Sequence, residues 1–203
     1  MKFALLLVCV ISLNSYAQSD FQNFKKLSSP KKTWVFFHVF KAKKALIISK
    51  EANRVADSIQ KTNLLDGDAA GGQVDAFRHS YWMARLHQVI GKSAARSLGK
   101  RHERENYLMY KNNKLEEGAL PDACSKKMDL FNNEVGLTLI QKNSIISKKD
   151  IILKVITAIK VGKMKVIKKN DKGQFLNCNG NVISPSELTG KWENEKCLIS
   201  SNL

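Results

Sequence analysis

The chain has 203 residues, 43% of them hydrophobic, enough for one domain with a buried core and too apolar for a mainly disordered protein. Its 34 Lys+Arg against 18 Asp+Glu give a formal charge of +16. That excess favours anionic partners such as lipid, nucleic acid or acidic cell-wall polymer, and it equally suits a basic protein whose charge only keeps it in solution.

Lys2, the apolar run Phe3 to Leu13 and the small-x-small Ser15-Tyr16-Ala17 predict a signal peptide over residues 1–17, and hence export to the periplasm or beyond. No later stretch is long and apolar enough to span a bilayer. Residues 18–33 form a polar lead-in, 34–162 a helical domain and 163–203 a β-hairpin cap. Trp34, Val35, Phe36, Phe37, Val39 and Phe40 make a dense aromatic patch expected to dock onto the core.

Ala42 to Lys61 repeats apolar residues at intervals of three and four and predicts an amphipathic helix. Asp66-Gly67-Asp68 reads as a turn rather than a calcium loop, because Ala70 stands at the next ligand position and no closing Glu follows. Val74 to Ile90 is apolar on more than one side, as a central helix is, and Gly91 ends it. Ser93 to Tyr110 presents Ala95, Leu98, Gly99, His102 and Asn106 on one face.

Asp122 is placed to N-cap a helix reaching about Gln141, with Cys124, Met128, Phe131, Val135 and Leu139 as its expected core. Asp129, Asn132, Asn133 and Gly136 occupy the adjoining stripe. Lys148 to about Val161 predicts a basic amphipathic helix. Beyond it Lys163 to Val166 alternates, Asn170 to Gly173 is a turn, and Gln174 to Leu176 resumes. Cys178 and Cys197 are the plausible disulfide pair, leaving Cys124 as a buried free thiol.

Three helices thus carry polar groups on or beside apolar stripes, where they are costly unless paired. Asp75 lies one turn before His79, His102-Glu103 sits on the next helix, and Asp129 with Asn133 on the third. Two imidazoles with carboxylates form a ligand set for zinc, manganese or iron, with His79, His102 and Asp129 as the expected ligands. Bound metal would activate water, with Glu103 or Asp75 as base. The competing account is a buried network in which Asn132 and Asn133 satisfy Asp129 and the histidines without metal. Arg78, Arg101 and Arg104 read as solvated rim charges, and His38 and His87 as structural or surface residues. The lysines from Lys142 to Lys172 offer a further surface for anionic lipid or nucleic acid, without the aromatics that base stacking needs.

The run Asp75-Ala-Phe-Arg-His79-x-Tyr-Trp82, then His102-Glu103, then Met128-Asp129-Leu-x-Asn132-Asn133-x-x-Gly136, resembles a bacterial domain-of-unknown-function family. That family occurs in small exported proteins and at the C-termini of Rhs-type polymorphic toxins. The resemblance covers roughly Trp34 to Leu139 and implies a helical domain and, from the toxin setting, enzymatic activity, with no reaction to carry over. The order His79, His102-Glu103, Asp129 also has a fainter similarity to the His…His-Asp…Asp metal phosphohydrolases, with Glu103 in place of the paired Asp and shorter intervals.

The expectation is a mainly α, irregular helical bundle with a small C-terminal β hairpin. Asp75, His79, His102, Glu103, Asp129 and Asn133 would converge on one site for metal-assisted hydrolysis of a phosphoester-like anion. The alternative is a non-enzymatic, envelope-associated module whose polar cluster only stabilises the fold.

Overall fold

The computed structural model describes residues 22–116 and 118–203. The expected signal peptide, residues 1–17, lies outside them. A short helix α1 (residues 22–26) leads into α2 (Ser29–Phe37), so the lead-in is helical in its described part. Pro30 opens α2 in the first turn, where its missing N–H costs nothing. At His38 the backbone leaves helical geometry, and α3 (Val39–Gln60) starts in a new direction.

The aromatic patch splits at this corner. Trp34 is buried, and its indole N–H donates to the Ala94 carbonyl at 3.1 Å. Val35 packs against the core, partly buried, but Phe36 and Phe37 are each 73% exposed and Phe40 97% exposed, so only part of the patch docks as expected. His38 stacks on Trp34 and bonds its carbonyl, and His87 bonds the Leu137 carbonyl. Both histidines tie elements together.

The core is built on α4 (Gln73–Ile90), in which even Asp75, His79 and Ser80 are buried. It packs against α3, α5 (Lys92–Lys111), α6 (Ala123–Leu139) and α7 (Lys148–Lys160). Being surrounded explains its apolar character on more than one side. Asp122 caps α6 as expected, accepting the Ser125 N–H at 2.8 Å, and Ser147 caps α7 in the same way. The loop before α4 holds Asx turns: Asp66 accepts from Asp68 and Gln73, and Asp68 from Ala70.

The inward face of α6 differs from expectation. Asp129, Asn132, Asn133 and Gly136 are buried, whereas Phe131 is 44% exposed beneath the Lys165 ammonium. The polar stripe is the contact face because α6 meets α4 through Gly136, which lies against the Ser80 backbone. The fold is mainly α with a small antiparallel β pair: β1 (Lys165–Ile167) pairs with β2 (Leu198–Ser200), and a single helical turn α8 (Pro185–Leu188) lies between them. Lys169 and Leu176, around the expected turn, make only isolated bridges to Phe175 and Val182. Cys178 and Cys197 are disulfide-bonded, and Cys124 is buried with a free thiol.

A buried ionic knot holds α3, α4 and α7 together. Glu51 accepts from the Tyr81 hydroxyl at 2.9 Å, Arg85 at 2.7 Å and Lys148 at 2.5 Å. Burial alone would raise the Glu51 carboxyl, but its hydrogen bonds from Arg85, Lys148 and Tyr81 prevail and hold it at about 2. The folded value lies below the ordinary 4.5, so the stabilisation is complete above about pH 4.5 and is lost as pH falls towards 2. Glu105, also held at about 2 through His102 and Lys31 despite its burial, loses its contribution in the same window. Thermal melts between pH 2 and 7 should therefore show a steep acid limb that Glu51→Gln flattens without abolishing. Parallel limbs for the two proteins would contradict this assignment.

Candidate functional site

The site begins with the turn that enters α4. Gly71 has φ +95° and donates its N–H to Asp75 Oδ2 at 2.8 Å, while its carbonyl accepts from Ile167 N at 2.7 Å. The left-handed backbone suits glycine, and a Cβ there would meet Ile167 Cδ1 at 2.9 Å. The loop, β1 and the first turn of α4 thus hold the Asp75 carboxylate from one side. Arg78 holds it from the other, with Nη2 2.6 Å from Oδ1.

One turn along α4, His79 points Nε2 between two carboxylates. It lies 3.5 Å from Asp75 Oδ1 and 3.4 Å from Asp129 Oδ1, which comes from α6. All three residues are buried, and one ligand atom from each lies within 4.8 Å of the other two. Asp129 Oδ1 and His79 Nδ1 make no hydrogen bond, and neither do both carboxylate oxygens of Glu103 or either side-chain amide atom of Asn133. Buried polar atoms are normally paired, so this concentration in one place suits a bound ion, ordered water or a catalytic role.

Burial and the neighbouring cations Arg78 and His102 keep the His79 ring neutral, with Asn133 pushing weakly the other way. Burial, then the charges of Asp75, Glu103 and Glu116, drives the Asp129 carboxyl well above the usual range. Glu103, among the most deeply buried side chains, is raised to about 7, mainly by burial; His102 opposes the rise and Glu116 adds to it.

His102 does not join the trio. Its ring centre is 6.1 Å from that of His79, and its nitrogens face Glu105 at 3.6 Å and Glu116 at 3.4 Å. Burial favours loss of its proton, but Glu105, Glu103 and Glu116 outweigh that and raise its affinity for one. Of the residues expected as ligands, His79 and Asp129 come together, joined by Asp75, and His102 stands apart from them. Glu105, three residues after His102 on the same helix, was visible as its partner; Glu116 reaches it from a loop, which no local pattern reveals.

Asn132 belongs to the fold. Its amide donates to the Lys165 carbonyl and accepts the Lys165 N–H, both at 2.9 Å, so it anchors β1 rather than satisfying Asp129. Of the arginines, Arg78 lines the site, while Arg101 and Arg104 are exposed. A cavity of about 620 Å³ reaches His79 and His102; Trp34, Trp82 and Leu98 form apolar walls, with Lys31, Lys43 and Lys50 among its cations.

Residues 32–163 match the domain of unknown function DUF6973. The chain belongs to that family. The match takes in α3 to α7 whole, and with them Asp75, Arg78, His79, His102, Glu103, Asp129 and Asn133. Neither the curated proteins nor the solved structures contain a match to the chain.

Proposed function

We propose that this DUF6973 protein is an exported, metal-assisted hydrolase of phosphoester-like anions, with Asp75, His79 and Asp129 holding a divalent cation such as zinc or manganese. The observation that carries the reading is the buried trio, in which His79 Nδ1 and Asp129 Oδ1 make no hydrogen bond. Ligand atoms about 2.1 Å from a tetrahedral zinc lie roughly 3.4 Å from one another, and His79 Nε2 is 3.5 and 3.4 Å from the two carboxylate oxygens. A neutral imidazole between carboxylates that resist simultaneous ionisation is what a cation stabilises, because its charge reverses the local preference for protons. Bound there, it would lower the pKa of a coordinated water and neutralise a phosphoester oxygen.

The chain's own groups supply the rest. Arg78 fixes Asp75 and presents positive charge to an anion in the cavity. Glu103, at about 7, is poised to take and return a proton near neutrality. Asn133, unpaired against the site, is available to orient substrate or water. The Cys178–Cys197 disulfide supports an oxidising compartment, and no described helix is long and apolar enough to cross a membrane. A toxin-like role, as the similarity to polymorphic-toxin C-termini implies, falls within the same proposal. A purely structural cluster would satisfy its own members; Asn133, Glu103 and Asp129 are left with unpaired buried atoms.

The test is the metal content of the purified protein by elemental mass spectrometry, followed by a screen of aryl phosphomonoesters and diesters. Near-stoichiometric zinc or manganese is expected, with affinity falling at least 100-fold in His79→Ala and Asp129→Asn, by analogy with lost ligand interactions. His102→Ala should retain the metal. Parent protein that takes up neither ion after incubation, or a His79→Ala variant that still binds one, would sink the assignment.

A further inference from the structure

The corner between α2 and α3 carries a surface that the hydrolytic reading does not use. Phe36 and Phe37 sit edge to face at 5.3 Å and point outward together. Past the break at His38, Phe40 is almost wholly exposed, and Val39 and Ile47 are more than half exposed. Phe40, Lys43, Lys44 and Ile47 recur at helical spacing, which places them on one stripe of α3. Such a group of large apolar side chains marks an interaction surface.

Charge narrows the partner. Residues 22–50 contain eight lysines and no aspartate or glutamate, so the exposed phenylalanines stand in a wholly cationic stretch of chain. Aromatic side chains ringed by lysines suit the interface of a bilayer with anionic headgroups: the rings enter the headgroup–acyl boundary and the ammonium groups meet phosphate. A second copy of this chain would bring two cationic faces together. Duplex nucleic acid, its bases stacked inside, would leave the phenylalanines without a dry contact. A single strand could stack on the rings but would leave the exposed aliphatic side chains of Val39 and Ile47 in water, whereas a bilayer buries both kinds. The lysines of the α7 region are a weaker candidate, since Lys148 pairs with Glu51 and Lys169 with Asp68.

We infer that the α2–α3 corner is a docking surface for an anionic phospholipid bilayer. Val39, Lys43 and Leu46 of this surface also line the large cavity, whose walls include His79 and Trp82. A bilayer seated there faces a mouth of the cavity that reaches the buried trio. Docking does not depend on the metal or on hydrolysis, so either can fail without the other.

The test is co-sedimentation of the full chain with vesicles of phosphatidylglycerol and phosphatidylethanolamine, against vesicles of phosphatidylcholine alone, at about 0.1 M salt. Binding is expected on the anionic vesicles and to weaken as salt rises. Phe36→Asp combined with Phe40→Asp should lower the partition coefficient at least tenfold. Lys43→Glu combined with Lys44→Glu should lower it by a similar factor, since each lysine at an anionic surface is worth about fivefold. Lys149→Glu with Lys154→Glu on α7 should change it less than twofold. All these positions are exposed, so melting temperatures should stay near the parent's and separate lost docking from lost folding. Three results would overturn the inference: no binding to anionic vesicles; binding that survives the phenylalanine substitutions, which would place adsorption on another segment such as residues 1–17; or a lipid-free dimer that the phenylalanine substitutions split, which would assign the face to a second copy.

Discussion

Gly136→Ala is expected to destabilise the protein by about 3 kcal/mol and to lower Tm by roughly 10 °C. A Cβ at this position would stand 2.3 Å from the Ser80 carbonyl oxygen and 2.8 Å from its Cα. Both atoms belong to the backbone of α4, the most enclosed helix, and no side-chain rotation relieves the overlap. Helix α6 would have to withdraw by about 1 Å, far more than a close-packed interior absorbs freely. The gain in helix propensity from Gly to Ala, about 1 kcal/mol, offsets only part of this. The same crossing carries the hydrogen bond from Ser80 Oγ to the Asn132 carbonyl and sets the distance from His79 to Asp129. If the trio holds the proposed cation, any folded fraction should also bind it poorly. Gly99→Ala is the control, because its Cβ would meet only the ends of Asn133 and Met83, at 3.2 and 3.3 Å. Its effect on Tm should be small. Thermal denaturation followed by circular dichroism measures both, and equal melting temperatures for Gly136→Ala and the parent would refute the account of the crossing.

Glu103→Gln should move stability and activity in opposite directions. The carboxyl is buried, its oxygens are unpaired, and it is raised to about 7. A folded value above the ordinary 4.5 means that the folded state holds the proton more tightly than the unfolded chain does, so this group erodes stability as pH rises from about 4.5 to 7. The neutral isostere removes that cost. At pH 8 the variant should be more stable by on the order of 2 kcal/mol, about 5 °C in Tm, and at pH 4 the difference should vanish. If Glu103 handles a proton in hydrolysis, the variant's kcat should fall 100- to 10,000-fold. A site that stores instability for function behaves in this way; a purely structural carboxylate would lose stability on substitution. Melts at the two pH values, beside kcat on whichever phosphoester the parent cleaves, separate the cases. A Glu103→Gln protein less stable than the parent at pH 8 would place Glu103 in the fold's support.

Much of this molecule follows from short-range pattern. Asp75 and His79, four residues apart in a stretch apolar on several sides, had to share a buried flank of one helix, and they do. Asp122 after Pro121, Gly91 after Ile90 and the Asx turns at Asp66 and Asp68 are local chemistry, set by backbone geometry within a few residues. The pairing of Cys178 with Cys197 needed only a count of the available thiols and their position around one short segment.

Other features belong to the tertiary structure alone. The rotation of each helix about its own axis decides which polar residue meets which, and close approaches such as Gly136 on Ser80 set that rotation. It turned Asp129 and Asn133 inward and Phe131 outward, and it set Asp129 against the Asp75–His79 pair while His102 faced Glu105 and Glu116. The same limit explains β1, whose partner is the distant β2 rather than the nearby 174–176, since strand pairing joins segments whatever their separation in sequence. It also explains the phenylalanines at the α2–α3 corner, which a hydrophobic count assigns to the core and the break at His38 carries to the surface. Residue type and spacing determined which side chains share a helix face; the angles at which the helices cross decided which faces met.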